Sequence, residues 1–285
     1  MLSVVIVNWN TRDLLRACLK SLASFPPSLP METIVVDNSS SDAGAEMVRS
    51  EFPDVVLISS SVNVGYAAGN NLGFGQATGD YVLTLNPDTE INETTLDAAL
   101  EVLRNDDRAG CVGVKQIGAD GAVQASVRGF PTLLGIVGDI LKIRRGRLDS
   151  YRLSRFDYSV TQIAPQPMGT FLIFKRSALA AIGDPLQPFD PRFPIFFNEV
   201  DLLYRLSQAG FHCVYTPKAS ILHHGGESTK QVRPKMIWES HRSLLRFFSK
   251  HAASPLQRAA VAFITPGIYL AAWVRAKGYH AGFRA

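Results

Sequence analysis

Short apolar runs of strand length alternate, through the first hundred residues, with stretches in which apolar positions recur every three or four residues. Residues 3–7 read as a buried strand. Residues 11–24 read as a helix with Leu14, Leu15, Cys18, Leu19 and Leu22 on one face and Thr11 at its N-cap. A second strand is predicted at 33–36, then a helix through Arg49 capped by the oxygens of Ser39-Ser40-Ser41-Asp42, and a third strand at 55–59. Gly69-Asn70-Asn71 opens a helix to Ala77, and 81–85 is a strongly apolar fourth strand closed by Asn86-Pro87-Asp88. This alternation predicts parallel strands joined by crossover helices, an α/β doubly wound, Rossmann-like sheet.

The second half is less regular. A helix at about 94–104 precedes a strand at 111–114, a hairpin turn at Ala119-Asp120-Gly121 and an amphipathic helix at 132–143. Residues 169–174 return as a strand, 199–209 as a helix and 213–215 as a last strand before Pro217. The apolar stretch 259–274 is broken by Pro266-Gly267 and falls short of the roughly 20 residues of a spanning helix. Two readings stay open for it: a segment lying on a membrane between Arg258 and Arg275/Lys277, or two short helices packed around a proline kink. The expected division is a domain at 1–232, with a nucleotide-binding half at 1–118 and an acceptor half at 119–232, followed by a helical, membrane-associated region at 233–285. Met1 leads straight into the first strand with no basic segment before it, so no signal peptide is predicted.

With 285 residues, 46% hydrophobic and 19% charged, the chain can bury a large core. The net charge of +4 is mild, but Lys142, Arg144, Arg145, Arg147, Arg152 and Arg155 form a basic run. No nucleic-acid recognition motif accompanies it, so a phosphate-bearing lipid or an anionic bilayer is the expected partner and nucleic acid is not. Cys18, Cys111 and Cys213 are odd in number and far apart, which suggests neither disulfides nor a zinc site and fits the cytosol.

In open α/β sheets, ligands sit beyond the carboxyl ends of the strands, where Asn8, Asp37, Asn63 and Asp88 fall. Asp88, aimed outward by Pro87, suits a hard divalent cation, although turn aspartates also cap helices, here one near Asn92. His223 and His224 follow a strand-like Ser220-Ile221-Leu222, so one ring can face the crevice while the other points away. Glu199 and Asp201 compete as the carboxylate base: both open a helix, and Asn198-Glu199 follows a phenylalanine-rich run that would raise a carboxyl pKa. Asp37 could accept hydrogen bonds from a base or ribose, or cap a helix. Gly65, Gly69 and Gly73 lack dinucleotide-fingerprint spacing, yet backbone N–H groups at Gly69 to Asn71 could meet an anion.

Together, Ser3-Val-Val-Ile-Val-Asn-Trp-Asn10, Val36-Asp-Asn-Ser-Ser40, Asn63-Val-Gly-Tyr-Ala-Ala-Gly-Asn-Asn71, Leu85-Asn-Pro-Asp88, Gly169-Thr-Phe-Leu-Ile-Phe174 and His223-His-Gly-Gly-Glu-Ser228 resemble glycosyltransferase family 2, in its rhamnosyltransferase-like branch, over roughly residues 1–230. The resemblance implies a GT-A fold, an inverting mechanism, a dTDP- or UDP-sugar donor and Mg2+ or Mn2+. Carried over by position, Asp37 contacts the nucleoside, Asn63, Gly65 and Asn70 line the donor pocket with Asn8, Asp88 holds metal and diphosphate, and His223 completes the metal shell. Asn86 stands where many members have the first acid of Asp-x-Asp. Glu199 occupies the catalytic-acid position, with Asn198 where another acid usually precedes it.

The expected activity is transfer of one sugar, such as rhamnose, to a saccharide or polyprenyl-linked acceptor at the inner face of a bacterial cell membrane, in cell-surface polysaccharide assembly. The rivals are a catalytically silent, membrane-docked saccharide-binding protein and a sugar nucleotidyltransferase. The latter would need a basic glycine-rich loop where Asn8-Trp9-Asn10-Thr11 stands.

Overall fold

The first strand is apolar from Leu2 to Val7 except for the buried Ser3, because both of its faces are covered. Leu2, Val4 and Ile6 pack with Leu15, Leu19, Leu22 and Leu100 on one side of the sheet. Val5 packs with Phe74, Phe174, Leu202 and Leu206 on the other. The computed structural model describes residues 1–140, 143, 145–225 and 233–278; Lys142, Arg144, the Gly226-Glu227-Ser228 end of the histidine motif and residues 279–285 lie outside them.

Strands β1 (Leu2–Asn8), β2 (Met31–Asp37), β3 (Val56–Ser59) and β4 (Tyr81–Leu85) are connected by α1 (Arg12–Ser24), α2 (Gly44–Glu51) and α3 (Tyr66–Gln76). There follow β5 (Thr89–Ile91), α4 (Thr95–Asn105), β6 (Ala109–Ile117), β7 (Val127–Arg128), α5 (Leu133–Ile140), β8 (Gln162–Ile163), β9 (Gln166–Pro167), β10 (Phe171–Lys175), α6 (Arg176–Ala180), α7 (Asn198–Gln208), β11 (His212–His223), α8 (Arg233–His251) and α9 (Pro255–Gly278). The main sheet runs β3-β2-β1-β4-β10-β6-β11-β5, with β8 also on β11. β1, β2, β3, β4, β6 and β11 point one way and β5, β8 and β10 the other, so the sheet is mixed but mostly parallel. β10 inserts between β4 and β6, which makes the sheet continuous across residue 118.

Several elements differ from their sequence expectation. Helix α3 starts at Tyr66, three residues before Gly69, because Pro194 O accepts from the amides of Tyr66 (2.6 Å) and Ala67 (3.3 Å). Gly69 and Gly73 serve packing: an added Cβ would lie 2.9 and 2.3 Å from Val7 and Val5 methyls, so the helix lies tight on β1. The amide of Gly69 donates within the helix to Gly65 O, which removes it as an anion site. Thr11 does not cap α1 through its hydroxyl, which donates to Asn8 Oδ1 at 2.7 Å. Asp42 does that work instead, accepting from Arg12 N (2.7 Å) and Gly44 N (3.0 Å), so one carboxylate closes the starts of two helices. Strand β11 is one element, not a short strand plus a histidine segment; a register shift between Thr216 and Ser220 absorbs the Pro217 interruption.

The C-terminal region is a pair of packed helices, α8 and α9. Phe247 of α8 is buried with Phe193 and Val200, which fixes α8 to the start of α7. Helix α9 runs unbroken through Pro266 and does not divide into two short core helices. Over Pro255–Lys277 it is long and apolar enough by composition to cross a membrane, and little of it is buried.

Candidate active site

The carboxyl ends of β1 and β4 and the loop after β2 open onto a cleft of ≈ 980 Å³. Its lining comes from Val7 and Trp9 after β1, Asn38 after β2, Asn63 to Tyr66 at the head of α3, and Asn86 to Asp88 after β4. The opposite wall is Met168 to Thr170, the segment Pro194 to Glu199, and one side of α8.

Strand parity decides which strand-end residues reach this cleft. Asn8 and Asp37 are register neighbours and both are buried behind the lining. Asn8 Nδ2 donates to Asp37 Oδ1 and Ser40 Oγ, both at 3.2 Å, and Ser40 N donates to Asp37 Oδ2 at 3.1 Å. Their polar groups bind one another and brace the β1 and β2 ends, so neither lines the cleft as the sequence reading expected. Asn70 is likewise turned inward, 1% exposed, with Nδ2 donating to Tyr66 O at 2.9 Å. Asn38 does line the cleft: its Oδ1 accepts from Val64 N (2.9 Å), while its Nδ2 donates to Asn63 Oδ1 (3.0 Å). Asn63 Oδ1 also takes Gly65 N at 2.9 Å, which shapes the turn into α3. Gly65 sits there at φ +83°, where a Cβ would meet Pro194 O at 2.9 Å, so the position needs glycine on two counts.

Asp88 is buried at the β4 end of the cleft, and its Oδ2 lies 3.7 Å from His223 Nε2. The histidine is held by a side chain absent from the sequence analysis. Gln124 Nε2 donates to His223 O at 3.3 Å, so Gln124 Oε1 is the atom facing His223 Nδ1, at 2.8 Å. A carboxamide oxygen only accepts, which puts the ring proton on Nδ1 and the lone pair of Nε2 toward Asp88. His224 turns the other way, its Nε2 2.8 Å from Glu90 Oε1 and its amide donating to Asp88 O at 3.0 Å. Asn86 contributes from the cleft wall, its backbone N–H donating to Thr170 O at 2.9 Å.

The two acids of α7 separate completely. Phe196 and Phe197 both sit at φ 59°, a strained pair of left-handed residues that swings the chain into the helix. Asn198 follows, 3% exposed, its Oδ1 accepting from Glu199 N at 2.7 Å. Glu199 then points into the cleft, half-buried, against Gly169 and near Tyr66. Burial pushes its carboxyl above the ordinary carboxylate range, and its own backbone N–H opposes this only in part. Burial, with the Glu199 charge second, also raises the Tyr66 phenol, whose Oη donates to Gly169 O at 3.3 Å. Asp201 faces away. It is fully buried, with Arg205 Nε at 2.9 Å, Lys250 Nζ at 2.7 Å and His251 Nε2 at 2.8 Å. Although burial works the other way, His251 and Lys250 hold its carboxyl below the usual range. Asp201 is therefore the tie between α7 and α8, and the structure removes it as a candidate base.

Asp88 and His223 fit a divalent cation. A carboxylate oxygen and an imidazole nitrogen of fixed tautomer, 3.7 Å apart, can share one shell with bonds of about 2.0–2.2 Å. Among the described residues no group of three or more His, Cys, Asp or Glu side chains converges, so a cation here would take further oxygens from a ligand or water.

Trp9, Asn38, Tyr66 and Thr170, which stand in the sequence motifs without an assigned site role, also line the cleft, as do Met168 and the α8 residues. For Asn38 a signal existed, since the residue after an inward strand end points the other way. For α8 it was the shared helical face of Lys235, Trp238 and Arg242.

The family model for glycosyl transferase family 2 matches residues 3–183. Among curated proteins, N-acetylglucosaminyl-diphospho-decaprenol L-rhamnosyltransferase of Mycobacterium tuberculosis is 29% identical over 265 residues, covering 87% of this chain and 84% of that protein. O-antigen biosynthesis protein RfbC of Myxococcus xanthus is 24% identical over 80% of this chain but only 18% of its own length. Among solved structures, the mannosyltransferase PcManGT of Pyrobaculum calidifontis, in complex with GDP-Man and Mn2+, superposes with TM-score 0.59 at 17% identity, over 100% of this chain and 76% of that one. S. aureus TarS with UDP superposes with TM-score 0.57 at 18% identity, over 99% and 75%. These two similarities carry the GT-A fold. The chain belongs to glycosyl transferase family 2.

Proposed function

We propose that the protein transfers one sugar, rhamnose from dTDP-rhamnose, with inversion to a saccharide carried on a lipid, in cell-surface polysaccharide synthesis at the inner face of the cell membrane. The observation that supports this most is that Asp88 and Glu199 line one cleft with His223 directly behind Asp88, so cation ligands and a base with a raised pKa meet at the strand ends. The diphosphate-linked acceptor named for the mycobacterial relative supports the acceptor class.

In this reading Asp88 and His223 hold Mg2+ or Mn2+, whose chemistry is to neutralise charge on the departing diphosphate. Asn38, Asn63 and Gly65 shape the nucleotide end of the cleft, with Asn8 and Asp37 bracing them from behind. Glu199 accepts the proton of the acceptor hydroxyl as its oxygen attacks the anomeric carbon and the bond to the diphosphate oxygen breaks. Its partly desolvated carboxylate is a stronger base than an exposed one, which favours that transfer. Asn198 orients the first turn of α7, so Glu199 acts without a second acid beside it.

Thermal-shift titration with dTDP, UDP and GDP in the presence of Mn2+ tests the donor assignment, with dTDP expected to give the largest stabilisation. Incubation with dTDP-rhamnose and a prenyl-diphosphate-linked N-acetylglucosamine then tests transfer. A wild-type protein that binds none of the three nucleotides would end the proposal.

A further inference from the structure

Helix α8 lines the cleft through Lys235, Met236, Trp238, Glu239 and Arg242. Lys235, Trp238 and Arg242 are spaced i, i+3 and i+7 and share one face. Lys235 and Arg242 are also the only cationic side chains among the described residues that line the cleft. Glu239 does not neutralise them, because its carboxylate is taken by Arg246 and Ser243. Neither Lys235 nor Arg242 has an ion-pair partner among the described residues.

Helix α9 packs beside α8, and the Trp238 and Tyr269 rings, 6.4 Å apart, join the two at the edge of the cleft-lining face. Helix α9 is two-faced in an unusual sense. Val261 and Ala272 are buried toward α8, whereas Leu256, Phe263, Leu270 and Val274, a stripe on the opposite side, are 80, 87, 60 and 53% exposed. No charged residue falls between Arg258 and Arg275, and the chain contains no Asp or Glu after Glu239. An apolar stripe with cationic ends and no acid matches an anionic bilayer surface better than the surface of a soluble partner. Packing against α8, which carries Lys235 and Arg242 into the cleft, favours α9 along the membrane plane instead of across it. At about 1.5 Å per residue the helix would lie over roughly 36 Å of that surface.

We infer that α8 and α9 together form the acceptor-reading element: α9 docks on an anionic bilayer, and Lys235 and Arg242 bind the phosphate that joins the acceptor saccharide to its lipid, with Trp238 against the sugar. The inference rests on the glycosyltransferase reading and adds its acceptor subsite. The acceptor class is then a saccharide linked through phosphate or diphosphate to a membrane lipid. Stacking of a sugar on an indole face and charge-assisted bonds from two cations to phosphate oxygens are the contacts that would recognise it.

The test uses the full chain with dTDP and Mn2+ bound, and two probes: N-acetylglucosaminyl diphosphate with a short prenyl chain, and the same prenyl glycoside without phosphate. Calorimetry is expected to show the diphosphate probe binding at least about tenfold more tightly. In the K235A/R242A double variant that preference should vanish while dTDP affinity holds, and K235R/R242K should restore much of it. Equal affinity of wild type for both probes overturns the subsite. So does a double variant that loses dTDP binding instead, since the cations would then serve the donor diphosphate. For the membrane half, wild-type protein should float with phosphatidylglycerol vesicles and much less with phosphatidylcholine vesicles. F263D/L270D should stay in solution while turning over a water-soluble acceptor at the wild-type rate. Flotation unaffected by F263D/L270D, or absent in the wild type, overturns the docking face. Failure of these outcomes with dTDP binding intact leaves the donor reading standing, so the two are separable.

Discussion

Glu199 and Asp201 lie two residues apart in the first turn of α7, feel the same helix dipole, and have opposite surroundings. The cleft side of that turn gives Glu199 a cavity, phenylalanine neighbours in sequence and, among the described residues, no cation bonded to its carboxylate, so its charge is discouraged. Asp201 instead meets Arg205 of its own helix and Lys250 and His251 of α8, all within 2.9 Å, so its charge is enforced. One carboxylate is kept reactive and the other is consumed in holding the fold. What separates them is the set of side chains delivered by α8, more than forty residues later in the chain.

Four experiments sharpen or break that contrast. The largest effect is expected for Glu199→Gln, which should lower turnover by about 10²- to 10⁴-fold while leaving nucleotide binding unchanged; single-turnover assays with calorimetry would check both, and wild-type turnover would take the base away from Glu199. Asp201→Asn should instead cost about 3–5 kcal/mol of stability, read by urea unfolding, because it leaves the cations of its cluster without their buried counter-charge. A loss of turnover with stability intact would reverse the roles. Next, Gln124→Leu should weaken Mn2+ binding in the presence of dTDP by about 10- to 100-fold, measured by the spin resonance of free Mn2+. Gln124→Glu should preserve it, since a carboxylate still accepts from Nδ1; a purely structural role would be harmed by both changes.

The smallest effect is in the pH dependence of stability, and its sign differs between the two acids. The raised pKa of Glu199 means the folded chain holds its proton longer, so wild type loses stability as pH climbs past the unfolded value. Glu199→Gln should therefore melt slightly higher than wild type at neutral pH, and the gain should disappear in acid. The depressed pKa of Asp201 acts oppositely: its stabilisation is complete above the unfolded value near 3.9 and is lost as pH falls through the lower folded value. Melting curves of both variants across acid and neutral pH would show the two differences closing from opposite signs.

Much of the sheet was legible because its strands are covered on both faces: the apolar runs at β1 and β4 leave no second reading. β5 was not, since Thr89-Glu90-Ile91 is too short to show a period and exists only because β11 lies beside it. The start of α3 depended on a carbonyl from Pro194, more than a hundred residues away. At the site, strand ends pointed to the right region, but not to which side chain faces ligand. Asn8 and Asp37 satisfy each other, a pairing set by the register of β1 on β2. Gln124 carries no motif and matters through the two bonds it makes to His223.

The placement of β10 bears on how this protein must be made. A ribosome releases β6 long before β10 and β11, the only strands that flank it. From the moment Ile117 emerges until Phe171 follows, β6 has α4 to pack on but no strand to pair with, and β4 keeps a bare edge. Synthesis that stalls in that interval would leave a half-built sheet prone to sticking to its neighbours, so the nascent chain is the stage at which this enzyme most needs a chaperone.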